Sequence, residues 1–147
     1  MSVRVFVDTN VLVYARDASE PKKQQIAESW MERLWLLRSG CLSYQVLQEY
    51  YVIVTEKLDP GLEKKIARND ITALLVWQPV SIDKRIVADA WKIQDRYPIS
   101  FWDSLIVSAA QVAECRYLLS EDLQRDQHFG EVQVISPFHT TPEKILK

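Results

Sequence analysis

The chain is poor in the residues that punctuate irregular folds: of 147 residues, only three are glycine and six are proline. That scarcity argues against a loop-rich all-β architecture, whose many tight turns draw on both. Cysteine and histidine occur twice each, and neither a disulfide framework nor a Cys/His metal-type spacing is present. Cys41 and Cys115 lie among apolar neighbours and read as buried thiols. No apolar run approaches the ~20 residues of a membrane span. The strand-like start carries no charged-then-apolar leader pattern, so the expectation is a cytoplasmic protein with no membrane contact. Neither sign of charge dominates: 18 Lys and Arg against 20 Asp and Glu leave a net charge of -2 and a pI near 5.7. Bulk electrostatics therefore cannot be what holds a nucleic acid, although local basic patches remain open. There is no phosphate-cradling glycine loop and no Ser-His-Asp set. His128 and His139 fall in the C-terminal loops and read as surface residues.

What is present is a hydrophobic fraction of 48%, enough for an ordinary core and for one domain over residues 1–147. The organising stretch is Met1 to Tyr14. Val3, Val5, Phe6 and Val7 form a short β-rich apolar run that stops at Asp8-Thr9-Asn10, and Val11, Leu12, Tyr14 and Ala15 continue at helical spacing. Asp8 thus sits where a buried strand hands over to a helix. That is the edge of an open α/β sheet at which ligands bind.

Apolar periodicity predicts helices over about 21–38, 44–58, 62–73, from Asp83 to Tyr97, and from Ser100 onward. Gly40 is expected to close the first of these. Short strands are expected at 41–43, 79–81, 117–119 and 132–135. The alternation implies a parallel sheet of about five strands with helices on both faces.

Asp8, Glu49, Asp103 and Asp122 each have a local explanation. Asp8 can cap the following helix. Asp103 lies three residues after Ser100, the spacing of a capping box. Asp122 and Ser120 can cap a turn at Leu123, and Glu49 can pair with a lysine or arginine. Asp126 is either a further acid of the set or a solvated one, the solvated reading being favoured. Taken together the first four fall on one edge of a right-handed parallel sheet, and capping does not explain a cluster. Clustered carboxylates raise one another's pKa values, and a hard divalent cation relieves the repulsion.

Asp8-Thr9-Asn10, Glu49, Ser100-Phe101-Trp102-Asp103 with Ser104-Leu105-Ile106-Val107, and Leu119-Ser120-Glu121-Asp122-Leu123 together resemble the signature of the PIN domain nucleases. The likeness extends through Val134-Ile135-Ser136-Pro137-Phe138 and is to the VapC-type ribonuclease toxins in particular. The resemblance implies a Rossmann-like α/β/α sandwich and Mg²⁺- or Mn²⁺-dependent cleavage of RNA. It implies Asp8, Glu49, Asp103 and Asp122 as the metal-facing acids, with Asn10 and Ser120 as supporting polar residues. It also implies a small antitoxin partner and a homodimer. Ser120 stands where threonine is also common in such proteins, Ser136 where asparagine often precedes Pro-Phe, and Asp126 where glycine is frequent.

Lys22, Lys23, Lys57, Lys64, Lys65, Arg68 and Arg125 are candidates for a basic rim, against the alternative of solvated helix faces. Tyr44 and Tyr51 are candidates for base stacking, although helical spacing makes Tyr51 look like core. The Trp30, Trp35 and Tyr51 region is a candidate apolar interface, with core packing as its alternative. Two rival functions remain in view. A strand-end aspartate also serves haloacid dehalogenase-type phosphatases, but those need a second aspartate where this chain has Asn10. A catalytically silent PIN-like module that binds RNA or protein is the other.

Overall fold

The structure is a computed structural model and describes residues 3–146; Met1 and Ser2, at the head of the first expected strand, and Lys147 lie outside the described residues. Strand β1 (Val5–Val7) is fully buried along its length, as expected of a central strand covered on both faces. It leads through α1 (Thr9–Tyr14) and α2 (Pro21–Leu37) to the two-residue β2 (Gly40–Cys41), which pairs parallel to it. The long excursion α3 (Tyr44–Val52), α4 (Lys64–Leu74), α5 (Lys84–Arg96) and α6 (Phe101–Val112) returns to β3 (Tyr117–Leu119) on the other side of β1. Beyond it β5 (Val132–Ile135) pairs parallel to β3, and β4 (His128–Phe129) lies antiparallel at the edge. The sheet order is β2-β1-β3-β5-β4. A short α7 (Pro142–Ile145) follows.

The expected α/β architecture is what the chain adopts, but one expected strand differs. Residues 79–81 supply only an isolated bridge, Ser43 to Val80, because Asp83 immediately caps α5. The fifth strand is instead His128–Phe129, folded back on β5 through Gly130 at φ 62°. A two-residue strand carries no periodicity to read. Helix α3 is shorter than the expected 44–58, because the chain passes into a π-helical turn at Ile53–Lys57. Val46, Leu47, Tyr50 and Val54 are buried, whereas Val52 is exposed.

The end of α2 is a second correction. Arg38, not Gly40, takes the left-handed turn at φ 52°. The amide of Arg38 bonds back to Trp35 O and that of Ser39 to Leu34 O, the paired bonds of a Schellman ending. Gly40 serves packing instead. A Cβ there would run into the indole of Trp77, which is half-buried and held against Trp35 at 5.2 Å between ring centroids. Gly40→Ala is therefore expected to lower unfolding stability by about 1–3 kcal/mol, read as a lower urea midpoint at unchanged slope. Trp30 is core rather than interface: it is wholly buried and donates from Nε1 to Pro137 O at 3.1 Å. Tyr51 is half-buried against the core, as its spacing suggests. Both cysteines are buried free thiols.

Candidate active site

The chain leaves β1 toward β2 on one side and leaves β3 toward β5 on the other. The gap above the C-terminal ends of β1 and β3 is therefore a topological switch point, where α/β sheets bind ligands. Asp8 follows β1 directly and Ser120 follows β3. Asp8 does cap α1, accepting from the Thr9 amide on Oδ1 at 2.7 Å. Its other oxygen accepts from Ser120 Oγ at 2.7 Å and from Asn10 Nδ2 at 3.3 Å. The same Asn10 amide also points at Asp122 Oδ2, at 3.1 Å, while Asn10 Oδ1 accepts from the Glu121 amide at 3.1 Å. Asn10 thus ties the two strand ends together through both polar atoms of its side chain. Ser120 does not cap a helix; its hydroxyl accepts from the Asp122 amide at 3.1 Å and turns that loop toward β1.

Glu49 and Asp103 come from helices on the far wall. Glu49, on α3, has no lysine or arginine partner among the described residues. Thr9 Oγ1 donates to one of its oxygens at 2.7 Å, and Gln45 Nε2 approaches the other at 3.5 Å. Gln45 lies four residues before Glu49, on the same helix face, and also donates to Trp102 O at 3.2 Å. Ser100 caps α6, accepting from the Asp103 amide at 3.0 Å. The capping expectation is met by the backbone of Asp103, and its carboxylate faces the site.

All four acids line a single cavity of about 710 Å³, together with Thr9, Asn10, Gln45, Lys57 and Trp102. Burial, with the charges of Asp122 and Asp103 adding to it, pushes the Asp8 carboxyl up to about 7 against the Ser120 and Thr9 hydrogen bonds. Burial also raises Asp103 against a hydrogen bond from Ser100, with the charges of Asp122 and Glu49 adding to the rise. The acids therefore feel one another across the cavity.

Four carboxylates on one cavity, those of Asp8 and Asp103 raised, suit a hard divalent cation in donor type and in charge. As the side chains stand, no three acids, imidazoles or thiols among the described residues converge tightly enough to hold one ion. Both Asp8 oxygens are turned to Thr9, Ser120 and Asn10. The fit is one of chemistry and of shared cavity.

Of the basic candidates, only Lys57 lines this cavity. Lys23 is engaged elsewhere: it pairs with Glu121 at 2.9 Å and lies over the rings of Tyr14 and Phe138. Arg68 donates to Tyr51 Oη. Asp126 is exposed, outside the cavity, and takes φ 68°, the backbone region glycine favours. His128 and His139 are exposed, as expected. Thr9 and Gln45 were not singled out by sequence reasoning. The available signals were the threonine inside Asp8-Thr9-Asn10 and the i, i+4 relation of Gln45 to Glu49.

The PIN domain family model matches residues 5–129. No curated protein sequence matches the chain. Among solved structures, FitAB bound to an IR36 DNA fragment superposes with a TM-score of 0.68 at 20% identity, covering 92% of this chain and 96% of that one. VapC20 from Mycobacterium tuberculosis, described as a sarcin-ricin loop cleaving toxin, gives 0.62 at 20% identity, with coverages of 88% and 98%. VapBC2 from Rickettsia felis, bound to a DNA fragment of its promoter, gives 0.58 at 14% identity, with coverages of 90% and 97%.

Proposed function

The chain belongs to the PIN domain family, and on that premise we propose that it is a metal-dependent ribonuclease, the VapC-type toxin of a toxin–antitoxin pair. The observation that carries this reading is the shared cavity. Four carboxylates from elements far apart in the chain face it, and the most buried of them has its carboxyl raised to about 7. A structure with no use for the cluster gains nothing by burying such a charge unpaired. The similarity to VapC20 and to FitAB and VapBC2 supports the substrate class and the antitoxin partner. The proposal includes a homodimer, which the family resemblance implies.

Asp8, Asp103, Glu49 and Asp122 would hold Mg²⁺ or Mn²⁺. A bound cation of this kind supplies Lewis-acid polarisation of the phosphodiester and a more acidic water. The chain's own polar residues do the positioning. Asn10 holds Asp8 and Asp122 at a fixed separation, Ser120 braces Asp8 from β3, and Thr9 and Gln45 orient Glu49. No histidine lines the cavity to act as base, so the carboxylates are the proton acceptors at hand.

The test is incubation of the protein with RNA in Mg²⁺, in Mn²⁺ and in EDTA. Cleavage with either metal that stops in EDTA is the expected result. RNA binding without cleavage under all three conditions would replace this reading with the silent-module one.

A further inference from the structure

Trp102 is the most conspicuous side chain of the cavity that the acids leave unexplained. It stands beside Asp103 in the first turn of α6 and is 62% exposed. Trp91 is nearly as open at 57%, but Trp102 is the tryptophan that lines the acid cavity. The Phe101 ring meets the indole edge to face at 5.6 Å, and Gln45 Nε2 holds the Trp102 backbone carbonyl at 3.2 Å.

The charge around it narrows what can settle there. Among the described residues, five acids line the cavity (Asp8, Asp17, Glu49, Asp103 and Asp122) against one cation, Lys57. A polyanion brought to this wall meets net repulsion before any cation is bound, and Lys57 alone cannot offset it. Affinity for RNA must therefore come largely from contacts that carry no charge. Base stacking on an aromatic face is such a contact, and it is tolerant of sequence.

Resting on the ribonuclease reading above, we infer that Trp102 is a stacking platform for a nucleobase of single-stranded RNA beside the acid cavity. It positions the strand and is not itself catalytic. Two consequences distinguish it from a packing residue. Binding should depend weakly on salt, with a slope near that of one or two phosphate contacts, each worth about -0.7 in log–log form. And the stacked nucleotide should be identifiable, because removing its base should matter only while the indole is present.

The experiment measures binding and cleavage separately. Fluorescence anisotropy of a labelled oligouridine in Mg²⁺ is recorded for Asp8→Asn, a background intended to prevent cutting, and for the same protein carrying Trp102→Ala or Trp102→Phe. Trp102→Ala should weaken binding about ten- to a hundredfold, and Trp102→Phe should recover most of it. In the otherwise unaltered protein, Trp102→Ala should raise KM by a similar factor and leave kcat within about threefold. An abasic nucleotide at one position should raise KM for the parent and not for Trp102→Ala. Equal affinities with and without the indole overturn the proposal. So does a kcat loss at unchanged KM, or a change of solution mass on Trp102→Ala, which would place the side chain between two copies of the chain. A parent that binds oligouridine through Trp102 but cuts no RNA sinks the nuclease reading and leaves the platform standing.

Discussion

Asp103→Asn is expected to lower RNA cleavage at least about a hundredfold, the size of effect seen when one charge-stabilising group leaves a water-poor active site. The substitution keeps side-chain volume, and the bond from the Asp103 backbone amide to Ser100 Oγ that caps α6 remains available. What it removes is one negative donor from a wall of four that share a cavity. Initial rates in Mg²⁺, with circular dichroism to confirm the fold, check this. Asp126→Asn, outside the cavity, serves as the comparison and should cut at the parent rate. A rate for Asp103→Asn within about threefold of the parent would remove Asp103 from the site.

Asp8 makes the second large prediction, and it concerns stability. Its carboxyl is raised from 3.8 to about 7, mainly by burial. Between those pH values the folded protein binds more protons than the unfolded chain, so stability falls as pH rises through that window and stays lowered above it. The raised carboxyl alone corresponds to about 4 kcal/mol across the window. Asp8→Asn keeps the shape and removes the charge. It also gives up one acceptor to Ser120 or Asn10, which offsets about 1 kcal/mol. In EDTA at pH 8 the variant should therefore be more stable than the parent by about 3 kcal/mol, and at pH 4 slightly less stable. Urea unfolding at the two pH values reads the sign directly. Mg²⁺ should raise the parent's melting temperature more at pH 8 than at pH 5, and should raise the variant's far less. A parent that grows more stable from pH 5 to pH 8 in EDTA would show that Asp8 ionises without penalty.

Much of this geometry was legible in the residues. Val5-Phe6-Val7 ending at Asp8 is a strand-to-helix handover by composition alone, and the spacing of Ser100 to Asp103 announces the start of α6. The four acids could be placed on one sheet edge because a right-handed crossover leaves little choice of side. What stayed hidden depends on contacts between distant segments. Nothing local marks Gly40 as the seat of Trp77, so it reads as a helix terminator, a role that falls to Arg38 at some cost in backbone conformation. His128–Phe129 is too short to show an alternating pattern and owes its pairing to Gly130. Lys23 looks like a free cation in the sequence and is committed to Glu121 and two aromatic rings. The raised carboxyl of Asp8 required knowing its burial, which a strand-end position does not reveal.

The strand order has a consequence for synthesis. β1 emerges first from the ribosome, and its partner on one flank, β2, follows within about forty residues. Its other flank waits for residues 117–119, and Asp122 can reach Asn10 only after that strand has inserted. A polypeptide that stops short of residue 117 therefore carries Asp8 and Glu49 without the strand end that brings Asp122 to Asn10.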